Sequence, residues 1–388
     1  MSEPLRPRHL ILGNPDNRRV RLFVDALAAT GHPEPLVLSH AEVLDDLGAL
    51  ERIAERELWV RIESVGERED VTRRLLRLGY EDARLAGVST AAPSTLDAPI
   101  AHGRILAPRQ AHLGFERYLN RLEGVFPGRP GWSVLSPVPA IRALFDKRVT
   151  SARYRALGVP TPDSLVAADP TALRAEMRRR GWNRVYVKVS CSSSASCLAV
   201  FSLAPERLMT TVELDGDAMF NSLRVQRVDD ADRVERVLGF LLREGAQIER
   251  AEPKARLEGP DHEGRAFMDC RILAVAGEPA FTVVRLSRHP ITNLHLGGFR
   301  GDLDTFHRRV PPHVLEAAHE SCRVIAREHG CLHVGVDVLF TPRFDGHRVI
   351  EANAFGDLLP NLTREGSSVY EWEIRHTAKW IADRPSPA

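Results

Sequence analysis

Gly335-Val336-Asp337-Val338-Leu339-Phe340, followed after a polar turn by Val349-Ile350-Glu351-Ala352-Asn353, decides the fold. Both runs read as buried strands rich in Val, Ile and Leu, with Thr341 to Arg348 as the turn. Side chains alternate along a strand, so Glu351 and Asn353 share a face, and Asp337 can join them from the neighbouring strand. Two carboxylates and an amide oxygen on one sheet face suit a hard cation such as Mg²⁺, with Mn²⁺ as a substitute. Such ions prefer oxygen ligands and keep positions open for phosphate. Burying two carboxylates without a cation is expensive. The plainer alternative is a pair of solvated strand-end acids.

The chain has 388 residues, enough for two or three lobes around a large core. Its 53 basic and 52 acidic residues nearly cancel, which gives no argument for general nucleic-acid or membrane-surface binding. The cysteines, Cys191, Cys197, Cys270, Cys322 and Cys331, form no CxxC pair and no zinc spacing. An odd, scattered set suits a reducing cytoplasm. No apolar run has the length of a signal peptide or a membrane span. Lysine is scarce: only Lys147, Lys188, Lys254 and Lys379 occur in an Arg-rich chain, so each lysine position stands out.

The first third alternates strands and helices. His9 to Gly13, Leu36 to Leu38 and Leu58 to Ile62 read as strands, and Asn17 to Thr30 as an amphipathic helix stopped by Gly31. Further helices are expected near 41–56, 67–78 and 109–123. This predicts a small α/β lobe with a mostly parallel sheet. One helix is expected from Ala140 to Leu157. Beyond it come strands at Val185 to Val189, Leu198 to Phe201 and Ala246 to Arg250. A strong hairpin, Ala266 to Ala276 and Pro279 to Leu286, turns at Gly277-Glu278. Helices near 311–329 and 366–382 complete the pattern, and no internal repeat is visible.

Several segments carry chemistry. Lys188 lies inside the apolar run Val185-Tyr186-Val187-Lys188-Val189, so it either faces a cleft with an anionic partner or snorkels at a sheet edge. Lys147 sits in Phe145-Asp146-Lys147 on the preceding helix. The loop Ser190-Cys191-Ser192-Ser193-Ser194-Ala195-Ser196 can present backbone N–H groups and hydroxyls to phosphate, although it lacks the glycine such loops usually use. Arg271 and Arg285 stand in apolar strands, where a planar guanidinium binds phosphate or carboxylate. Asp269 shares a face with Arg271, so an internal Asp–Arg pair stays open. In Thr292-Asn293-Leu294-His295-Leu296-Gly297-Gly298 the glycine pair allows close backbone approach to a ligand.

In order, these pieces are DK, GVPTP, VKV with a serine-rich loop, QIER, DCR, VVR, TNLHLGG, GVDV and EAN. Together they resemble the ATP-grasp superfamily from Asp146 to about Asp357, nearest to its ribosomal-protein glutamate ligase and glutathione synthetase branches. The resemblance implies an α/β class chain with α+β lobes. A pre-grasp α/β domain would span 1–135, an ATP-grasp N-terminal (lid) subdomain with its preceding helix 136–245, and a catalytic C-terminal subdomain 246–388. It implies that Lys147 and Lys188 hold the phosphates of ATP. Ser192, Ser193 and Ser194 would belong to the loop that closes over them. Gln247 and Glu249 would lie on the strand that reads the adenosine, with Glu249 or Glu252 at the ribose. It places Asn293 near the phosphates, makes Asp337, Glu351 and Asn353 the Mg²⁺ ligands, and has Arg271 and Arg285 steady the transferred phosphoryl group and the reacting carboxylate. Where the family loop ends in glycine this chain has Cys197, which makes the loop conformation a point to examine.

The expected activity is an ATP- and Mg²⁺-dependent carboxylate–amine ligase acting through an acyl phosphate. Its partners would be a small-molecule or peptide carboxylate and an amine, without nucleic acid or membrane, and with a homodimer left open. The alternatives are a small-molecule kinase on the same fold and a non-catalytic nucleotide-binding partner protein. The N-lobe segment Arg61-Ile62-Glu63-Ser64 ends a strand, where open α/β sheets commonly bind ligands, and Arg18 and Arg19 are candidates to lie nearby.

Overall fold

The computed structural model describes residues 7–66, 68–192, 196–259 and 264–384. Three sheets organise them. The first joins β1 (Arg8–Leu12), β2 (Leu36–Leu38), β3 (Leu58–Ile62) and β4 (Trp132–Val134) in the order β2-β1-β3-β4, all parallel. β1 and β3 are almost continuously apolar, as strands covered on both faces must be. The fourth strand and its partner register fell outside the sequence expectation.

The second sheet has the order β5-β10-β6-β7-β8-β9. Its strands are β5 (Ser164–Leu165), β6 (Arg184–Val189), β7 (Leu198–Leu203), β8 (Glu206–Asp215), β9 (Ala218–Val228) and β10 (Ala246–Arg250). β10 carries Gln247 and Glu249. Sequence reading put it at the head of the C-terminal subdomain, but it pairs with β6 from Ala246↔Val189 to Arg250↔Val185 and so belongs to this smaller sheet. Period-2 alternation divides β6 between two environments: Val185, Val187 and Val189 enter a core with Phe201, Leu238 and Leu241, while Tyr186 and Lys188 face the opposite side. The helices Pro170–Arg180 and Ala231–Arg243 pack on the core side, supplying Leu173, Met177 and Leu238.

The third sheet comprises β11 (Arg256–Glu258), β12 (Arg265–Val275), β13 (Glu278–Ser287), β14 (Phe299–Arg300), β15 (His333–Phe340) and β16 (His347–Asn353). Its main path is β14-β13-β12-β15-β16, antiparallel throughout, with β11 paired to β12. Met268, Cys270, Ile272, Val336, Val338 and Ala352 enter a core shared with the first lobe. Of the residues that alternate with them, Asp269, Arg271, Asp337, Leu339, Glu351 and Asn353 line a cavity against the second sheet. No helix among the described residues is long and apolar enough to cross a membrane.

The helix expected from Ala140 to Leu157 is two helices, Val138–Leu144 and Lys147–Ala156. Asp146 breaks it by capping the second, its carboxylate accepting from the backbone N–H groups of Arg148 and Val149. Lys147 is therefore the first residue of a helix, not a mid-helix position.

Candidate active site

The second and third sheets enclose a cavity of about 650 Å³ whose wall also includes residues of the first lobe. Three of the four lysines in the chain, Lys147, Lys188 and Lys254, line it. Among its described lining residues are seven Lys or Arg against five Asp or Glu, so the wall carries formal positive charge.

On the small-sheet side Lys188 is buried and its Nζ lies 2.6 Å from Glu249 Oε2. Burial alone lowers a lysine pKa, but the carboxylates of Glu249 and Glu351 outweigh it and the Lys188 pKa is raised, so it is a cation. Lys147 Nζ is 3.8 Å from Glu351 Oε2 and also donates to the Ser192 carbonyl. It thereby ties the helix start to the end of β6 and the serine-rich loop. Ser192 lines the cavity; Ser193 and Ser194 lie outside the described residues. Glu249 and Glu252 both face the cavity. Gln247 does not line it: the residue is buried behind Glu249, with its amide 3.5 Å from Glu249 Oε1.

Across the cavity, Asp337 pairs in register with Arg271 on β12 and with Glu351 on β16. A bulge in the β15–β16 ladder beyond Asp337 inserts Ile350, and Ile350, Glu351 and Asn353 all line the wall. Asp337 accepts from Arg271 through both of its oxygens, and Arg285 Nη2 is 3.2 Å from its Oδ2. Burial opposes ionisation, but the two arginines prevail and hold the Asp337 pKa down at about 2. Asn353 Nδ2 lies 3.5 Å from Glu351 Oε1. The carboxylate and amide oxygens of Glu351, Asn353 and Asp337 form a hard-donor set, and among the described residues Asp337 Oδ1 accepts from Arg271 alone, leaving it a lone pair. That set fits Mg²⁺.

Arg285 Nε donates to Asp269 Oδ1 at 2.7 Å, so the Asp–Arg pair left open on sequence is formed across strands, by Asp269 with Arg285 and by Arg271 with Asp337. Asp269 also receives the Thr292 hydroxyl. Lys254, not singled out for a role on sequence, completes this group: its Nζ is 2.8 Å from Thr292 Oγ1 and 3.5 Å from Asp269 Oδ2. Burial, helped by Arg285 and Lys188, outweighs Asp269 and lowers the Lys254 pKa. The scarcity of lysine was the signal that could have found it. Asn293 lines the cavity, but its side-chain oxygen accepts from the His295 N–H at 2.8 Å and caps the short turn Leu294–Leu296. Gly298 follows because a Cβ there would stand 2.6 Å from the Asn293 carbonyl oxygen.

Cys197, where glycine was expected, has φ +51°, the left-handed conformation that glycine favours. Its N–H donates to Asn221 Oδ1 at 3.1 Å and its carbonyl accepts from the Val189 N–H at 3.2 Å. The loop thus keeps a glycine-like backbone here without glycine. The Cys197 thiol is buried, which pushes its pKa up to about 12.

At the first-lobe end the wall includes Asn17, Arg19, Ser64 and Gly66. Arg19 donates to Asp357 Oδ1 and, at 2.5 Å, to the Phe355 carbonyl. Arg61 does not line the cavity. It is buried beneath it, donating to Glu63 at 2.6 Å, to Glu373 at 2.7 Å and to Asp357. Arg18 is likewise absent from the wall.

No family model matches the chain, and no curated protein matches it. Solved structures do. The ATP-grasp ligase PsnB complexed with a minimal precursor is 16% identical, with 97% of this chain and 99% of that chain covered and a TM-score of 0.52. The macrocyclase MdnC bound with precursor peptide MdnA, from Microcystis aeruginosa MRC, is 13% identical over 96% of this chain and 99% of that one, at TM-score 0.54. The D-cycloserine synthetase DcsG is 13% identical over 96% and 99%, at TM-score 0.53. The chain has the ATP-grasp fold, with an α/β lobe preceding the two grasping sheets.

Proposed function

We propose that this protein is an ATP- and Mg²⁺-dependent ligase that joins a carboxylate to an amine. The observation that carries the reading is one cavity between two sheets, with Lys147 and Lys188 on one wall and Asp337, Glu351, Asn353, Arg271 and Arg285 on the other. A polyphosphate is the ligand that such a wall suits: cations at fixed points, and hard oxygen donors for its counter-ion. PsnB, with the same fold at 15% identity and TM-score 0.52, has been solved with Mg and ADP.

In this reading Lys147 and Lys188 hold the phosphates, and Glu249 or Glu252 meets the ribose. Asp337, Glu351 and Asn353 would hold Mg²⁺, which when bound neutralises charge on the β- and γ-phosphates. Arg271 and Arg285 hold the substrate carboxylate in line with the γ-phosphorus. A carboxylate oxygen attacks it, the bond to the β-phosphate bridging oxygen breaks, and ADP leaves. The amine then attacks the acyl phosphate carbon, loses a proton, and expels phosphate to leave an amide. Arg271 and Arg285, each locked by carboxylates, offer preorganised donors to the charge that develops. The free thiols suit a reducing, cytoplasmic setting.

Hydroxylamine trapping with ATP and Mg²⁺ tests the reading. A ligase gives an acid-dependent hydroxamate and ADP. A stable phosphoproduct would replace it with a kinase, AMP and pyrophosphate would exclude the acyl phosphate, and binding without turnover would make the protein a nucleotide-binding partner.

A further inference from the structure

Three of the four arginines that line the cavity form a row. Arg285 and Arg271 share Asp337. Arg271 and Arg19 flank one short segment, Phe355-Gly356-Asp357. Arg19 binds the residues on either side of Gly356, and Arg271 lies so close that a Cβ on Gly356 would stand 3.3 Å from its Nη1. Gly356 can occupy this space only because it faces another glycine. A Cβ on Gly335 would come within 2.6 Å of the Gly356 Cα, and one on Gly356 within 2.4 Å of the Gly335 Cα. The sequence thus spends two glycines on bringing the segment that anchors Arg19 against β15, next to Arg271.

Arg19 is the member of the row that comes from the first lobe. It is the second residue of the helix Arg18–Ala29, whose N-cap, Asn17, accepts from its backbone N–H. Its guanidinium is held at two points, and Asp357, which holds it, is itself fixed from below by Arg61. The side chain is 15% exposed and lines the cavity. A guanidinium has five N–H donors, and the two anchors leave others for a ligand. The same cavity wall includes the apolar side chains of Val65, Leu358 and Leu359 and the polar groups of Ser64 and Asn17.

We propose that Arg19 is a specificity-determining residue that binds a second carboxylate of the acid substrate, making dicarboxylates the substrate class. This rests on the ligase reading only for where the first carboxylate sits, at Arg271 and Arg285. The methylene chain between the two acid groups runs along the Val65 and Leu358 wall. The second acid group is either that of a free dicarboxylate or that of an acidic peptide, whose chemistry at Arg19 is the same.

Calorimetric titration of the full-length protein with glutarate and with butyrate tests this. Glutarate is expected to bind about tenfold more tightly, the scale of one charge-assisted contact, and Arg19→Gln is expected to erase the difference. Equal affinities in the wild type, or a preference that survives in Arg19→Gln, overturns the proposal. Should Arg19→Gln fail to fold, phenylglyoxal labelling of the wild type with peptide mass mapping decides. Protection of Arg19 by glutarate and not by butyrate supports it, and no selective protection overturns it. Acetyl-Ala-Ala-Glu against acetyl-Ala-Ala-Gln separates the sources: tighter binding than glutarate by the acidic peptide, lost in its amide counterpart, identifies a peptide acid, and weaker binding a free one. A separate titration with ADP and Mg²⁺ reports on the nucleotide reading. Glutarate selectivity without nucleotide binding would overturn the ligase and leave Arg19 standing.

Discussion

Two charged clusters lie side by side in this molecule and are built on opposite balances. The cavity cluster is rich in cations and open to a ligand. The cluster beneath it, between β3 and the C-terminal helix Val369–Ala382, is sealed and rich in acids: Glu63, Asp357 and Glu373 surround Arg61, with His333 at the edge. His333, Asp357 and Glu373 place ligand atoms within 4.8 Å of one another, as a metal site would. Arg61, however, already donates to all three carboxylates, so a guanidinium occupies the place of the cation. Open arginines with leftover donors make a binding wall, whereas a buried arginine with a carboxylate on each of its three nitrogens makes a joint. Arg19 and Asp357 connect the two.

The sharpest way to break this comparison is Arg61→Met. It leaves Glu63 and Glu373 without their guanidinium and Asp357 with Arg19 alone, and removal of one partner from a buried pair costs about 3–5 kcal/mol. Urea denaturation should show that loss. A variant as stable as the wild type would mean that the sealed cluster is not a joint. On the cavity side, Glu351→Gln should leave stability unchanged while lowering Mg²⁺-dependent ADP release by roughly 10²-fold, the scale of one lost electrostatic contact to the transferred group. Full turnover would remove Glu351 from the metal set. Lys188→Ala should weaken nucleotide binding by about 1.5–3 kcal/mol, as a charge-assisted bond does. Unchanged calorimetric affinity would place Lys188 with the structural ion pairs, as nothing more than the partner of Glu249.

The cavity cluster was far more legible in the sequence than the sealed one. Asp337, Glu351, Lys188, Arg271 and Arg285 announce themselves because a charged residue inside an apolar strand must face something polar, and alternation says which neighbours share its face. Those faces are the ones the strands present to the cavity. Arg19, Phe355 and Asp357 are contacts between residues more than 300 positions apart, and no local period encodes them. Lys254 follows β10 in an irregular segment, where alternation says nothing. Other omissions had signals. Asp215-Gly216 is a strong hairpin turn, with Gly216 at φ +53°, and it joins β8 to β9. Asp230 caps the strongly amphipathic helix Ala231–Arg243. The hairpin is masked because β9 is half exposed and carries no continuous apolar run.

The smallest effect expected separates the clusters by their protons. In the sealed cluster His333 Nε2 faces the Ala354 carbonyl at 3.0 Å, so that nitrogen carries the hydrogen. Its Nδ1 then presents a lone pair 3.5 Å from Glu373 Oε2. A lone pair facing a carboxylate is unfavourable, and a proton on Glu373 relieves it. Burial, with Asp357 and Glu63 nearby, outweighs Arg61 and raises the Glu373 pKa to about 8. An acid with a raised folded-state pKa stabilises the fold fully below its unfolded value, about 4.5 for a glutamate, and that contribution fades as pH rises through 8. Asp357 acts in the opposite sense: its pKa is lowered despite burial, so its contribution is present above its unfolded value and is lost in acid. Glu373→Gln keeps an acceptor for Arg61 and removes the titration. Its melting temperature should therefore gain on the wild type by a few degrees as the buffer goes from pH 5 to pH 8.5, with the gap opening across that window. A gap that stays constant with pH would mean that Glu373 is ionised in the folded protein, and that Arg61 balances the cluster without a proton.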